Sequence, residues 1–169
     1  MSYAYDKIYL NQARNSLGLM LDFVVYDVEM DLSDYWERFI DSDVCRGFEI
    51  GSSRIVAGKS GIEMAYDVLG KEYWKIQREP VTYRSPEYWT GWAIAYYQWL
   101  TGIKFKDITD LVSIEEIKNL YFPYHEIDIT GFCDKLDEIM DERKRKHEII
   151  NKGVKIMKKV REEYQKEKQ

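Results

Sequence analysis

Apolar residues return every three or four positions along most of this chain, which is the period of a helix and not of a strand. Between residues 4 and 29 the recurring positions are Leu10, Ala13, Leu17, Leu21, Val24 and Val28, so a long first helix is expected. Asp31 to Ser33 break that pattern and cap a second helix, whose apolar positions are Tyr35, Trp36, Phe39 and Ile40. Asp43 to Glu49 reads as a short third helix, and Gly51-Ser52-Ser53 as a turn. Arg54-Ile55-Val56-Ala57-Gly58 is strand-like, which predicts a short β-hairpin near residues 50–58. Ser60 and Glu63 have the spacing of a capping box, opening a helix that runs to about Leu69. Residues 70–84, rich in aromatic and basic side chains, read as a connecting loop.

The densest pattern follows. Ser85-Pro86-Glu87 is a helix start and Gly102 a helix end, and six of the twelve residues from Tyr88 to Trp99 are Trp or Tyr. On a helix, Trp89, Trp92, Tyr96 and Trp99 share one face. Gly91 and Ala95 form a small-residue notch beside it, where another helix could approach. Aromatics at this spacing are the usual content of a core, each contributing roughly 1.5–3 kcal/mol on burial. The other reading is a partly exposed groove for a partner, with Glu87 and Gln98 as rim groups. Phe105, Ile108 and Leu111 suggest a further short helix or turn; Ser113 and Glu116 repeat the capping-box pattern, for a helix that must end near Pro123.

Asp128 can cap a last helix running to about residue 165. Leu136 and Met140 belong to the body, and beyond them His147, Ile150, Val154, Met157 and Tyr164 continue the spacing, with Ile149, Ile156 and Val160 widening the stripe. Arg143 and Arg161 interrupt the seam, and Gly153 weakens the helix by ~1 kcal/mol. Such a helix either folds back on the domain or protrudes to pair with a second copy or grip a partner. The expected architecture is therefore all-α: one helical body over residues 1–142 and a helical extension over 143–169.

Charge sharpens that division. The 169 residues carry a net charge of -5, but residues 143–169 hold +7 and residues 1–142 hold -12. An acidic body repels nucleic acid and favours basic partners, whereas the extension has the opposite preference. Nucleic-acid binding through the basic helix would need a dimer or a partner to present it. With 45% hydrophobic and 15% aromatic residues the chain is globular. Its start lacks a signal-peptide pattern and no apolar run reaches ~18 residues, so a cytoplasmic protein without a membrane role is expected.

Candidate chemistry is sparse. Gly58-Lys59-Ser60 evokes a phosphate loop, but Ser53 stands where the first glycine belongs. Lys59 and Ser60 remain candidates for holding an anion at the start of a helix. His125-Glu126-Ile127-Asp128 gathers three polar groups, yet two histidines and two cysteines in the whole chain are too few for a zinc site of their own. Glu126 and Asp128 fit the role of helix cap, with His125 packed at a junction; a small enzyme or nucleotide-binding module would instead need Lys59, Glu63 and the 125–128 cluster in one pocket. Cys45 and Cys133 read as reduced, buried thiols, and neither a cofactor nor a resident metal is expected.

Five stretches carry a resemblance: residues 17–25, Phe48-Glu49-Ile50-Gly51, Ala57 to Glu63, Ser85 to Trp99, and Tyr124 to Ile129. Together they resemble an uncharacterised family of small helical bacterial proteins, over roughly residues 8–140, the Tyr88–Trp99 block being the most specific part. Members tend to be encoded beside ADP-ribosyltransferase-like toxin candidates. The resemblance implies an antitoxin-like role and a toxin as protein partner, and it brings no catalytic residues. The expected function is thus a non-enzymatic binding protein that acts by contact, through Trp89, Trp92, Tyr96 and Trp99 or through Ile150, Val154, Met157 and Tyr164, with a homodimer through the last helix as a further expectation.

Overall fold

A computed structural model describes residues 3–70, 74–76, 78 and 84–166. A 3-10 turn at Lys7–Tyr9 leads into α1 (Leu10–Tyr26), followed by α2 (Leu32–Ile40), α3 (Asp43–Glu49), α4 (Ser53–Val56) and α5 (Gly61–Leu69). After the connecting segment come α6 (Pro86–Thr101), α7 (Phe105–Thr109), α8 (Ile114–Asn119), α9 (Tyr121–Tyr124) and α10 (Ile129–Lys166). The fold is all-α, and no strand is present among the described residues. Of the loop expected at 70–84, residues 71–73, 77 and 79–83 lie outside the described residues.

The helix starts follow local hydrogen-bond chemistry. Asp31, Ser42 and Ser85 accept backbone N–H groups of the turns that follow them. Ser60/Glu63 and Ser113/Glu116 form complete capping boxes. Each satisfies donors that a helix N-terminus leaves without an intrahelical partner. Gly102, in the left-handed region at φ 69°, ends α6, a conformation that costs a glycine little.

α1 is the axis of the body. It buries the expected Leu10, Ala13, Leu17, Leu21 and Val24, but also Arg14, Ser16, Gly18 and Asp22. Two neighbours explain the second set. α6 crosses so closely that a Cβ on Gly91 would sit 2.5 Å from the Leu17 carbonyl oxygen, and one on Gly18 would sit 2.7 Å from that of Tyr88. α5 approaches on another side, where a Cβ on Gly61 would sit 2.3 Å from the Ser16 carbonyl oxygen. The notch read at Gly91 and Ala95 is thus where α1 lies against α6. Below it, Trp36, Phe39, Phe48 and Phe105 pack ring on ring, with centroids 5.1–5.8 Å apart.

The hairpin expected near 50–58 does not form. Gly51 turns the chain at φ 66°, and Ile55 and Val56 then donate to the Ser52 carbonyl at 2.8 and 2.9 Å, closing the helical turn α4. β-Branched residues such as Ile55 and Val56 favour a strand only where a second strand pairs with them. Here Val56 is buried among helices instead.

α10 has two halves. Phe132, Cys133, Leu136 and Met140 are buried in the body. Arg143, half-buried, donates to the Leu111 carbonyl and to both carboxylate oxygens of Glu116. Beyond Arg143 every described side chain of α10 is exposed. The helix therefore protrudes and does not fold back. At ~1.5 Å per residue its 38 residues span ~57 Å.

Candidate functional site

The aromatic helix and His125, distant in sequence, meet at one pocket, which Glu126 and Asp128 do not line. Its walls are Tyr88, Trp89 and Trp92 from the first half of α6, Tyr121 and Tyr124 from α9, His125, Ile127 and Ile129 around the start of α10, and Arg84 from the segment before α6. The cavity measures about 260 Å³. Trp89 is fixed edge-on by Tyr121 and Phe132, with ring centroids at 5.7 and 5.2 Å. His125 stacks on Tyr121 at 4.0 Å, and its Nδ1 lies 2.8 Å from the Tyr121 carbonyl oxygen. A carbonyl can only accept, so Nδ1 carries the hydrogen and, in the neutral ring, Nε2 is an acceptor.

Two guanidinium groups lie on the rings of this wall. Arg84 sits 4.7 Å from the centroid of Tyr88. Arg14, 8% exposed, lies 3.2 Å from the centroid of Trp92 and 4.7 Å from that of Tyr96, and its Nε donates to the Trp92 carbonyl at 3.3 Å. Burial lowers the Arg14 pKa to about 10, which still leaves it charged at neutral pH. One of its terminal nitrogens, Nη2, has no hydrogen-bond partner. Cation–π attraction to Trp92 and Tyr96 replaces part of the hydration lost.

The aromatic stripe is therefore divided. Trp89 and Trp92 line the pocket, and Tyr96 is half-buried under Arg14. Trp99 is buried, stacked on Tyr3 at 4.0 Å, with its indole N–H donating to the Tyr5 carbonyl. The suggested rim groups are not at a rim. Gln98 is buried and donates to the Glu49 carbonyl. Glu87 is buried, accepts from the Tyr26 hydroxyl at 2.8 Å and faces Lys118 at 3.6 Å. Tyr26 and Lys118 come from distant segments, and no local pattern announces them. Arg84, Tyr121 and Tyr124 are pocket residues that the sequence reading missed; the run Tyr121-Phe122-Pro123-Tyr124 ahead of His125 was the signal available.

Lys59 and His125 do not meet. Lys59 lines another cleft, with Asp43, Arg54 and Asp67, and is ion-paired to Asp67. The Ser60 hydroxyl and N–H are both used in the capping box with Glu63. Asp128 accepts from the N–H and hydroxyl of Thr130 and so caps α10, while Glu126, mostly exposed, holds a carboxylate oxygen 3.6 Å from Nε2 of His125. Cys45 and Cys133 are buried, and burial pushes both thiols up, Cys133 to about 12. No group of three or more potential metal-ligating side chains, and no helix long and apolar enough to cross a membrane, occurs among the described residues.

Next in sequence to Arg84, Ser85 joins a partly buried ionic cluster. Asp22, 4% exposed, accepts from the Arg78 guanidinium through one carboxylate oxygen and from the Ser85 hydroxyl through the other. Arg78 also faces Asp27 at 3.6 Å. Burial raises the Asp27 pKa, and the Arg78 charge works against it. The cluster ties α1 to the residue that caps α6.

The distal half of α10 is the second candidate. Ile150, Val154, Met157 and Tyr164, with Ile149, Ile156 and Val160, are all exposed. Ile150, Gly153, Val154, Met157, Lys158 and Arg161 line a shallow apolar surface along the helix. Comparison of the chain with protein-family models, curated proteins and solved structures finds no match.

Proposed function

We propose that this chain is a non-enzymatic binding protein that neutralises or regulates a protein partner by contact, gripping it with the distal half of α10. The observation that supports this reading is the run of exposed apolar side chains from Ile149 to Val160 on a helix that extends past the body. Single exposed hydrophobics are ordinary, whereas a contiguous stripe marks an interaction surface. An amphipathic helix laid into a groove engages it through i, i+3, i+4 and i+7 anchors, the spacing of Ile150, Val154 and Met157.

Charge selects among occupants. His147, Ile150, Val154, Met157, Arg161 and Tyr164 fall at heptad positions, as in a helical dimer. Yet two copies of a segment carrying +7 repel each other, and the apolar seam is interrupted at Arg161. A partner with an apolar groove and an acidic rim suits both the stripe and the charge. The resemblance described above points to a toxin of the ADP-ribosyltransferase-like kind, which makes the role antitoxin-like.

The test is co-expression of the full chain with the protein encoded beside it, followed by co-purification and growth rescue. The Val154→Glu/Met157→Glu double variant is expected to keep the unfolding free energy within ~0.5 kcal/mol, because both positions are exposed. It is expected to lose the complex and the rescue. Equal binding by the variant would refute the gripping role of α10, and concentration-dependent dimerisation of the full chain would assign the stripe to a second copy.

A further inference from the structure

We infer that the pocket between α6, α9 and α10 is a small-molecule site for a planar ring that carries one anionic group, a nucleoside monophosphate or an aromatic carboxylate. The inference is independent of the partner-binding reading, which rests on the other half of α10. Five aromatic side chains and His125 line the cavity, offering ring faces and edges. Such walls take planar ligands by stacking, at ~1–3 kcal/mol per ring in nucleobase sites. They also take cations, and the choice between the two follows from charge.

The lining contains no Asp or Glu, and its single formally charged group is Arg84. This contrasts with a body that is strongly acidic overall. The rings are already served by positive charge: Arg84 lies over Tyr88, and Arg14 over Trp92. An ammonium ligand would meet the Arg84 guanidinium in the lining, with the Arg14 charge behind Trp92. An anionic group at Arg84 would meet a planar fork of donors suited to phosphate or carboxylate. Tyr88 and Trp89 belong to the first turn of α6, and Ile129 is the first residue of α10, so the positive ends of two helix dipoles lie beside the cavity.

Size limits the ligand. A cavity of about 260 Å³ is slightly smaller than the ~300–1,000 Å³ of drug-sized sites, enough for one ring system and too little for a dinucleotide. The experiment is calorimetric titration of the full chain with UMP, AMP and indole-3-acetate, against uridine, adenosine and tryptamine as counterparts without negative charge. At least one anion is expected to saturate below ~10 mM and to bind at least about tenfold tighter than its counterpart, the scale of one charge-assisted hydrogen bond. Saturation by UMP or AMP alone assigns the site to nucleotides, and by indole-3-acetate alone to aromatic carboxylates. Arg84→Gln, at an exposed position, should lower that affinity about tenfold without moving the unfolding midpoint. Trp92→Leu should abolish binding. No saturation by any of the three anions overturns the inference, as does tryptamine binding as tightly as indole-3-acetate, or unchanged affinity in Arg84→Gln.

Discussion

Arg143 and Glu116 show how one side-chain pair fixes where the body ends and the free helix begins. Hydrogen bonds from Arg143, followed by those of the Ser113 cap, hold the Glu116 carboxyl down at about 2. An unfolded glutamate titrates near ~4.3. The folded value is the lower, so the stabilisation is complete above ~4.3 and is lost as pH falls through about 2. Arg143→Gln is expected to move acid unfolding, followed by circular dichroism at 222 nm, to higher pH; an unchanged acid limb would show the pair to be inert. Asp22 is a sterner case, because it is itself buried and the side chain of its partner Arg78 is only 10% exposed. Asp22→Asn should cost ~1–3 kcal/mol in urea unfolding, since the Arg78 guanidinium would lose its closest carboxylate and keep Asp27, at 3.6 Å, as counter-charge. Chemistry of short range was legible at this scale: both capping boxes and the Asp128 cap stand where their spacing put them. Chemistry of long range was not, because Glu87 and Asp22 owe their burial to Lys118, Tyr26 and Arg78, which nothing in the neighbouring sequence specifies.

At the scale of elements, the crossing of α1 and α6 depends on Gly91 carrying no side chain. Gly91→Ala would push a methyl group onto the backbone of Leu17 and Gly18, which cannot yield as a side chain can. A loss of ~1–3 kcal/mol in unfolding free energy is expected, the usual range for overpacking. A neutral or stabilising result would mean that the two helices slide apart at no cost. The small-residue notch made this approach readable from the sequence, but not the identity of the helix that fills it. The residues at 54–58 show the reverse failure. Ile55 and Val56 have strand propensity, and tertiary context overrides it because only helices surround them. The aromatic stripe was readable as one face, and the fold then assigned its members to different surroundings: Trp99 to the interior, Trp89 and Trp92 to a cavity wall, Tyr96 to a guanidinium.

For the molecule as a whole, the division into acidic body and basic helix was present in the charge pattern, whereas the course of α10 was not. A stripe that folds back and a stripe that stands out have the same period, and only the surface of the body decides between them. Here the body ends its claim at Arg143. The continuity of α10 has a geometric consequence. Buried Leu136 and Met140 anchor the same rigid rod that displays Val154 and Met157, so reach and azimuth are set together. Tyr164 stands ~36 Å beyond Met140 along the axis, and every residue of helix turns the display by ~100° while advancing it ~1.5 Å. The rod serves as ruler and compass at once: whatever docks on its far end is held at one distance and one bearing from the mouth of the aromatic cavity.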